Sequence, residues 1–238
     1  MKIVVVSIFA VLLLTACGRP GAPPTWQAVY TSILQQYHEE TYHLPAEARW
    51  LFALHDINGN GAPELIIWES ALDGFFFSAH TVYTFVDGEA MPLEMADDFG
   101  GHPASLALFS PPGGAGLVVT GGGEGFMRYM LVTMAENRLV IEAAAQISAL
   151  PWHRGYAEVL HFIYGAEATP ATLPNHLHWL TDEVEDIAAM GYILVEDTAF
   201  TQIVCTVFGD MEEHNGHLIH AITEANIASV IDGWGNGK

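Results

Sequence analysis

The chain has 238 residues and sets seven Lys and Arg against 28 Asp and Glu, a formal net charge of −21. Such a field repels phosphate backbones, which argues against nucleic acid as a partner, and with Lys2 and Lys238 the only lysines there is no P-loop to hold a nucleotide. Hydrophobic residues make up 51% and aromatics 11%, too much apolar material for a disordered chain and enough for one sizeable core.

In chain order, Lys2 precedes an apolar stretch from Ile3 to Leu14 that closes on Leu14-Thr15-Ala16-Cys17. That stretch is shorter than the roughly 20 residues needed to cross a bilayer. It resembles the signal and lipobox of bacterial lipoproteins. The resemblance implies removal of residues 1–16 and a diacylated, N-acylated Cys17 seated in the lipid bilayer. The chain is then expected on the extracytoplasmic face of a bacterial cell membrane, where two or three acyl chains anchor stably and one would not. After Cys17, Gly18-Arg19-Pro20-Gly21-Ala22-Pro23-Pro24 has nothing to bury and reads as an extended tether, so residues 17–24 are a linker and residues 25–238 a single α+β domain. With Cys17 lipidated, Cys205 has no intramolecular partner; in the apolar run "QIVCTVF" it reads as a buried small hydrophobe.

From Thr25 to about Tyr42, apolar residues at Trp26, Val29, Tyr30, Ile33, Leu34 and Tyr37 recur at helical spacing behind an N-capping Thr25. Beyond Arg49 the rhythm changes to short strand-like runs: "WLFAL", "ELIIW", "HTVYTFV", "SLALF", "GLVVT", "RYMLVTM" and "RLVIEA". Asp87-Gly88 and Glu136-Asn137 stand where two-residue hairpin turns belong. The runs fall into two approximate copies, residues 51–94 and 106–142, each read as strand, Gly-rich loop, strand, connector, strand, tight turn, strand. A four-stranded antiparallel unit of the propeller-blade kind has this order. Two such units cannot close a propeller, so the expected architecture is one or two antiparallel sheets flanked by the N-terminal helix and by C-terminal helices.

In the last third, "AEVLHFIY" reads as a strand, "GAEATPATLPNHLHW" as an exposed excursion and "TDEVEDIAAMGY" as a helix with acids at its N-terminus. "FTQIVCTVF" and "HLIHAI" are expected to pair as strands through Asn215-Gly216. Thr223 is placed to cap a last short helix, "EANIASVIDGW".

The best-defined chemistry lies between the first two strands, in Asp56-Ile57-Asn58-Gly59-Asn60-Gly61-Ala62-Pro63-Glu64. Oxygen-bearing side chains fall at positions 1, 3, 5 and 9, Gly61 permits a sharp turn at position 6 and Ala62 offers its carbonyl at position 7. Alternate oxygens are what a hard cation needs, since Ca²⁺ takes about 6 to 8 of them. The flanks are strand-like and position 12 is Ile67, so this is not a helix-loop-helix EF-hand. The segment resembles the nine-residue calcium loops of FG-GAP repeats and the Asp-x-Asp-x-Asp-Gly-x-x-Glu-Leu segment of small lipoproteins from Gram-positive gut bacteria. That likeness covers roughly residues 51–93 and implies Ca²⁺ ligation by Asp56, Asn58, Asn60 and Glu64 through side chains and by Ala62 through its carbonyl. Asn58 and Asn60 replace the usual aspartates, which implies a weak site, of order 10⁻⁴ to 10⁻³ M. The competing reading is a polar turn with no ion, because Asn, Asp and Gly are ordinary turn residues. The second copy has Ser110-Pro111-Pro112-Gly113-Gly114-Ala115-Gly116 at this place, with no carboxylate.

Other constellations are less specific. "HEETYH" misses the zinc-protease pattern, since His38 and His43 are five apart and diverge by about 140° on a helix. Glu212, His214 and His217 would share a hairpin face, His220 lying on the other, but lack a fourth ligand; His176 and His178 lie in a loop. "TGGGEGF" reads as a flexible connector, and Asp97-Asp98 as solvated loop acids. The aromatic runs "GFFFSAH" and "YTF" suit either a core or a glycan or peptide groove.

Together these features suggest an anchored, non-catalytic binding or assembly module for an envelope protein or glycan. The alternative is a surface hydrolase of glycan or peptide with structural Ca²⁺, which would need two carboxyls about 5 to 9.5 Å apart in a cleft.

Overall fold

A computed structural model describes residues 24–44, 50–70, 77–95, 107–112, 114–123, 126–150, 158–165, 168–173, 181–209 and 219–234. Helix α1, Trp26–Thr41, begins where the Thr25 side chain accepts the Ala28 N–H, and it buries Tyr30 and Leu34 one turn apart. A first meander follows: β1, Leu51–His55; β2, Glu64–Ser70; β3, Phe77–Val86; and β4, Glu89–Pro92. The β3–β4 turn places Asp87 and Gly88 at φ 52° and 89°, the left-handed pair that a two-residue hairpin requires. A second meander comprises β5, Ala107–Phe109; β6, Leu117–Gly123; β7, Phe126–Ala135; and β8, Arg138–Leu150. Strand β9, Glu158–Tyr164, extends it. Then come α2, Thr181–Ala189; β10, Ile193–Val195; α3, Asp197–Val207; β11, His220–Ala221; and α4, Glu224–Gly233.

All strand pairs within the two sheets are antiparallel, in the orders β11-β1-β2-β3-β4 and β10-β9-β8-β7-β6-β5. The class is α+β, with each of the two sequence copies forming a four-stranded meander. The meanders face one another across a shared core of Ala53, Ile66, Trp68 and Val82 from the first sheet and Leu117, Val119, Met130, Val132 and Phe162 from the second. On its far side the first sheet packs Phe52, Leu54, Leu65 and Ile67 against Tyr30 and Leu34 of α1 and Ile227 and Ile231 of α4. The second sheet packs Val118, Ala145 and Ile163 against Phe200 of α3 and the adjoining Phe208. Helices α1 and α4, the first sheet, the second sheet and α3 thus lie in succession, with Val184 and Ile187 of α2 against the core between the sheets. This is why "LIIW" is continuously apolar: a strand covered on both faces gains from an apolar side chain at every position. Each fully buried Leu or Ile contributes about 1.5 to 3 kcal/mol relative to exposure.

The C-terminal third differs from expectation in three ways. Residues 200–208, "FTQIVCTVF", expected as a strand, instead lie in the helix Asp197–Val207 and its C-cap Phe208. Phe200, Ile203, Val204, Val207 and Phe208 recur at helical spacing and meet the second sheet, and that tertiary contact overrides the β-branched propensity. Cys205 lies on the opposite face of the same helix and is exposed rather than buried. His220 pairs with Phe52 of β1 and not with residues 201–209, while Asn215-Gly216 lies outside the described residues.

"TGGG", expected as a flexible connector, is strand instead: Gly121, Gly122 and Gly123 pair with Arg128, Met127 and Phe126. Strand β10 had no counterpart among the expected elements and forms a short edge beside β9. Cys17 and the tether as far as Pro23 lie outside the described residues, as do Asp97, Asp98, His176, His178, Glu212, His214 and His217. Among the described residues no helix is long and apolar enough to cross a membrane.

Candidate metal centre

Strands β1 and β2 pair from Leu51 opposite Trp68 to His55 opposite Glu64, so the two ends of the loop between them are held side by side. Strand alternation then decides direction. Ala53 and Ile66 face the inter-sheet core, and two residues on, His55 and Glu64 face the same way, 3% and 1% exposed. Between these buried ends the loop swings outward through Gly59, Asn60 and Gly61, all exposed. Gly59 and Gly61 take φ 73° and 88°, values that cost an L side chain and none to glycine.

The loop's side chains turn back onto its own backbone. Asp56 Oδ2 accepts the Gly61 N–H at 2.9 Å, Asn58 Oδ1 the Asn60 N–H at 3.0 Å, and Asn60 Oδ1 the Ala62 N–H at 2.8 Å. Each carbonyl-type oxygen has two lone pairs, and one N–H uses one of them. The remaining oxygen, Asp56 Oδ1, is buried and has no hydrogen-bond partner. A buried acceptor left in that condition costs about 1 to 3 kcal/mol, and a cation beside it removes the cost.

Glu64 closes the loop from behind. Its Oε2 accepts the Ile57 N–H at 2.7 Å, a hydrogen also directed at His55 O (3.1 Å); its Oε1 accepts Asn58 Nδ2 at 2.7 Å and the Thr84 hydroxyl at 3.0 Å. Burial pushes its carboxyl above the usual range; the Ile57 and Thr84 hydrogen bonds pull the other way, and the Asp56 charge adds a smaller upward push. From the opposite side of the sheet the buried Tyr30 hydroxyl lies 3.0 Å from Pro63 O and 3.1 Å from Tyr83 O, tying α1 to the loop's exit. Desolvation keeps that phenol protonated well above its ordinary range.

The five residues named from sequence are thus brought together, in two roles. Asp56, Asn58, Asn60 and the Ala62 carbonyl belong to the turning segment, while Glu64 engages three protein donors. Among the described residues no cluster of three or more His, Cys, Asp or Glu is placed to hold a metal. The oxygen set available here, one carboxylate, two amides and a carbonyl, suits a hard cation such as Ca²⁺ and not a soft transition metal. The orphaned Asp56 oxygen fits that group; the paucity of charge fits weak binding.

Three participants escaped sequence reading. Thr84 lies 20 residues from its partner Glu64, and only its inward position in "HTVYTFV" hints at it. His55, next to Asp56, places Nε2 2.7 Å from the Gly116 carbonyl. Gly116 ends the loop of the second copy, so the repeat alignment was the available signal. No family model, curated protein or solved structure matches the chain.

Proposed function

We propose that this protein is a lipid-anchored, extracytoplasmic module that binds Ca²⁺ weakly through its first β-hairpin loop and serves in binding or assembly with an envelope protein or glycan. The anchor rests on Leu14-Thr15-Ala16-Cys17 and the proline-rich tether after it. For the ion, the carrying observation is Asp56 Oδ1, buried without a partner in a loop where Asp56 Oδ2, Asn58 Oδ1 and Asn60 Oδ1 each accept one backbone N–H.

Asp56, Asn58, Asn60 and the Ala62 carbonyl would hold the ion, and Glu64, through its contacts to Ile57 and Asn58, would position them. Bound Ca²⁺ supplies positive charge to an acidic surface and cross-links a segment otherwise held by single hydrogen bonds. Calcium titration by calorimetry tests this. Saturable binding with a Kd of about 10⁻⁴ to 10⁻³ M, lost in Asp56→Ala, is the expected result; the same heats in Asp56→Ala would refute the site.

A further inference from the structure

The two sequence copies meet at their loops. The Gly116 N–H donates to the Ile57 carbonyl at 2.7 Å, and because a carbonyl only accepts, His55 donates from Nε2 to the Gly116 carbonyl at 2.7 Å. Gly116 is fixed in this position: its φ is 99°, and a Cβ there would meet Val132 O at 3.1 Å. A Cβ added to Gly59, in the ion loop itself, would come to 3.8 Å from Ala115, so the two loops run close to one another there as well. The loop without carboxylates is therefore held through its backbone by the Ile57 carbonyl of the other loop and by the side chain of His55 at the end of β1.

Ile57 is the hinge of this arrangement. Its N–H is held by Glu64, its carbonyl by Gly116, and its side chain, 1% exposed, belongs to the core shared by the two sheets. Asp56, which carries the orphaned oxygen, lies between His55 and Ile57, the two residues that grip Gly116. An ion that fixes Asp56 thereby fixes both bonds of the clasp.

We infer that Ca²⁺ at the Asp56 loop governs the docking of the second meander's loop, at Ala115 and Gly116, on the first, so that the ion acts on the contact between the two sheets and not on its own loop alone. This rests on the calcium reading above. The alternative is an ion confined to residues 56–62, with the clasp indifferent to it.

Amide hydrogen exchange on the purified full chain, with and without roughly 10 mM Ca²⁺, separates the cases, with calorimetry on the same samples reporting whether calcium binds. A ligand bound only by the closed form slows exchange by one plus its ratio to Kd, here roughly 10- to 100-fold. The expected result is slowing of that order at Ile57 and at Gly116 together. In His55→Leu, which keeps the bond from Gly116 N–H to Ile57 but loses the one to the Gly116 carbonyl, calcium should still bind and slow Ile57 while slowing Gly116 less than in the unmutated chain; His55→Gln, which keeps a side-chain N–H, should restore the full joint response. Calcium binding with slowing only at residues 57–62 of the unmutated chain overturns the coupling and leaves the site intact. No heat of binding overturns the site, and the coupling with it.

Discussion

Glu64 and Ile57 are joined by a 2.7 Å hydrogen bond from the Ile57 amide to Glu64 Oε2, so the residue that opens β2 holds the chain just after β1 has ended. The loop is shaped by an acid that is 1% exposed, which makes its charge state part of the fold's stability.

Glu64→Ala removes the acceptor for Ile57, Asn58 and Thr84 at once. Buried donors left unsatisfied make this costly, roughly 3 kcal/mol by denaturant unfolding. Glu64→Gln keeps one acceptor oxygen and removes a buried charge, so a loss of about 1 kcal/mol is expected without calcium. The pH dependence has a definite sign. The folded state holds its proton above the ordinary 4.5, so as pH rises from there through the raised value the unfolded state is favoured. Wild type should therefore lose stability across that window relative to Glu64→Gln; parallel curves would show that Glu64 titrates as an ordinary carboxyl.

His220 behaves oppositely. It sits in β11 beside the Phe52 ring at 5.8 Å, and desolvation lowers its pKa below 6.5. The unfolded state binds the extra proton, so the contribution is present above about pH 6.5 and lost as pH falls through the lowered folded value. His220→Asn should flatten this limb of the stability profile. An unchanged slope would assign the limb to other histidines.

Much of the architecture was legible because "LFAL", "ELIIW", "TVYTFV" and "GLVVT" are apolar runs bounded by Asp, Pro or Gly. Asp87-Gly88 announces its hairpin, and the repeat carries the order of both meanders. Residues 197–207 were not legible, since their Thr and Val content favours a strand and only contact with the second sheet makes the helical spacing of Phe200, Val204 and Phe208 decisive. In the site, Asp56, Asn58, Asn60 and Glu64 stand out because their oxygens are close in sequence. Thr84 and Gly116 arrive through strand pairing and loop docking, 20 and 59 residues from Glu64 and Ile57, distances over which local spacing carries no information.

For the anchor, Cys17→Ser should abolish incorporation of an alkyne-tagged fatty acid and move the protein from the membrane fraction to the soluble one. Retention at the membrane without label would mean that the Ile3–Leu14 segment, and not an acyl chain, holds the protein there.

The calcium site at Asp56 is tested most directly by thermal unfolding of the purified protein with and without about 10 mM Ca²⁺, beside Asp56→Ala and Glu64→Gln. At about 100 times its dissociation constant a ligand bound only by the folded state adds roughly 2.7 kcal/mol, worth about 5 to 10 °C in a chain of this size. A calcium-dependent rise of several degrees that Asp56→Ala loses and Glu64→Gln weakens is the expected result. No rise in the wild type, or an equal rise in Asp56→Ala, would contradict it and leave residues 56–64 as a turn held together by its own hydrogen bonds.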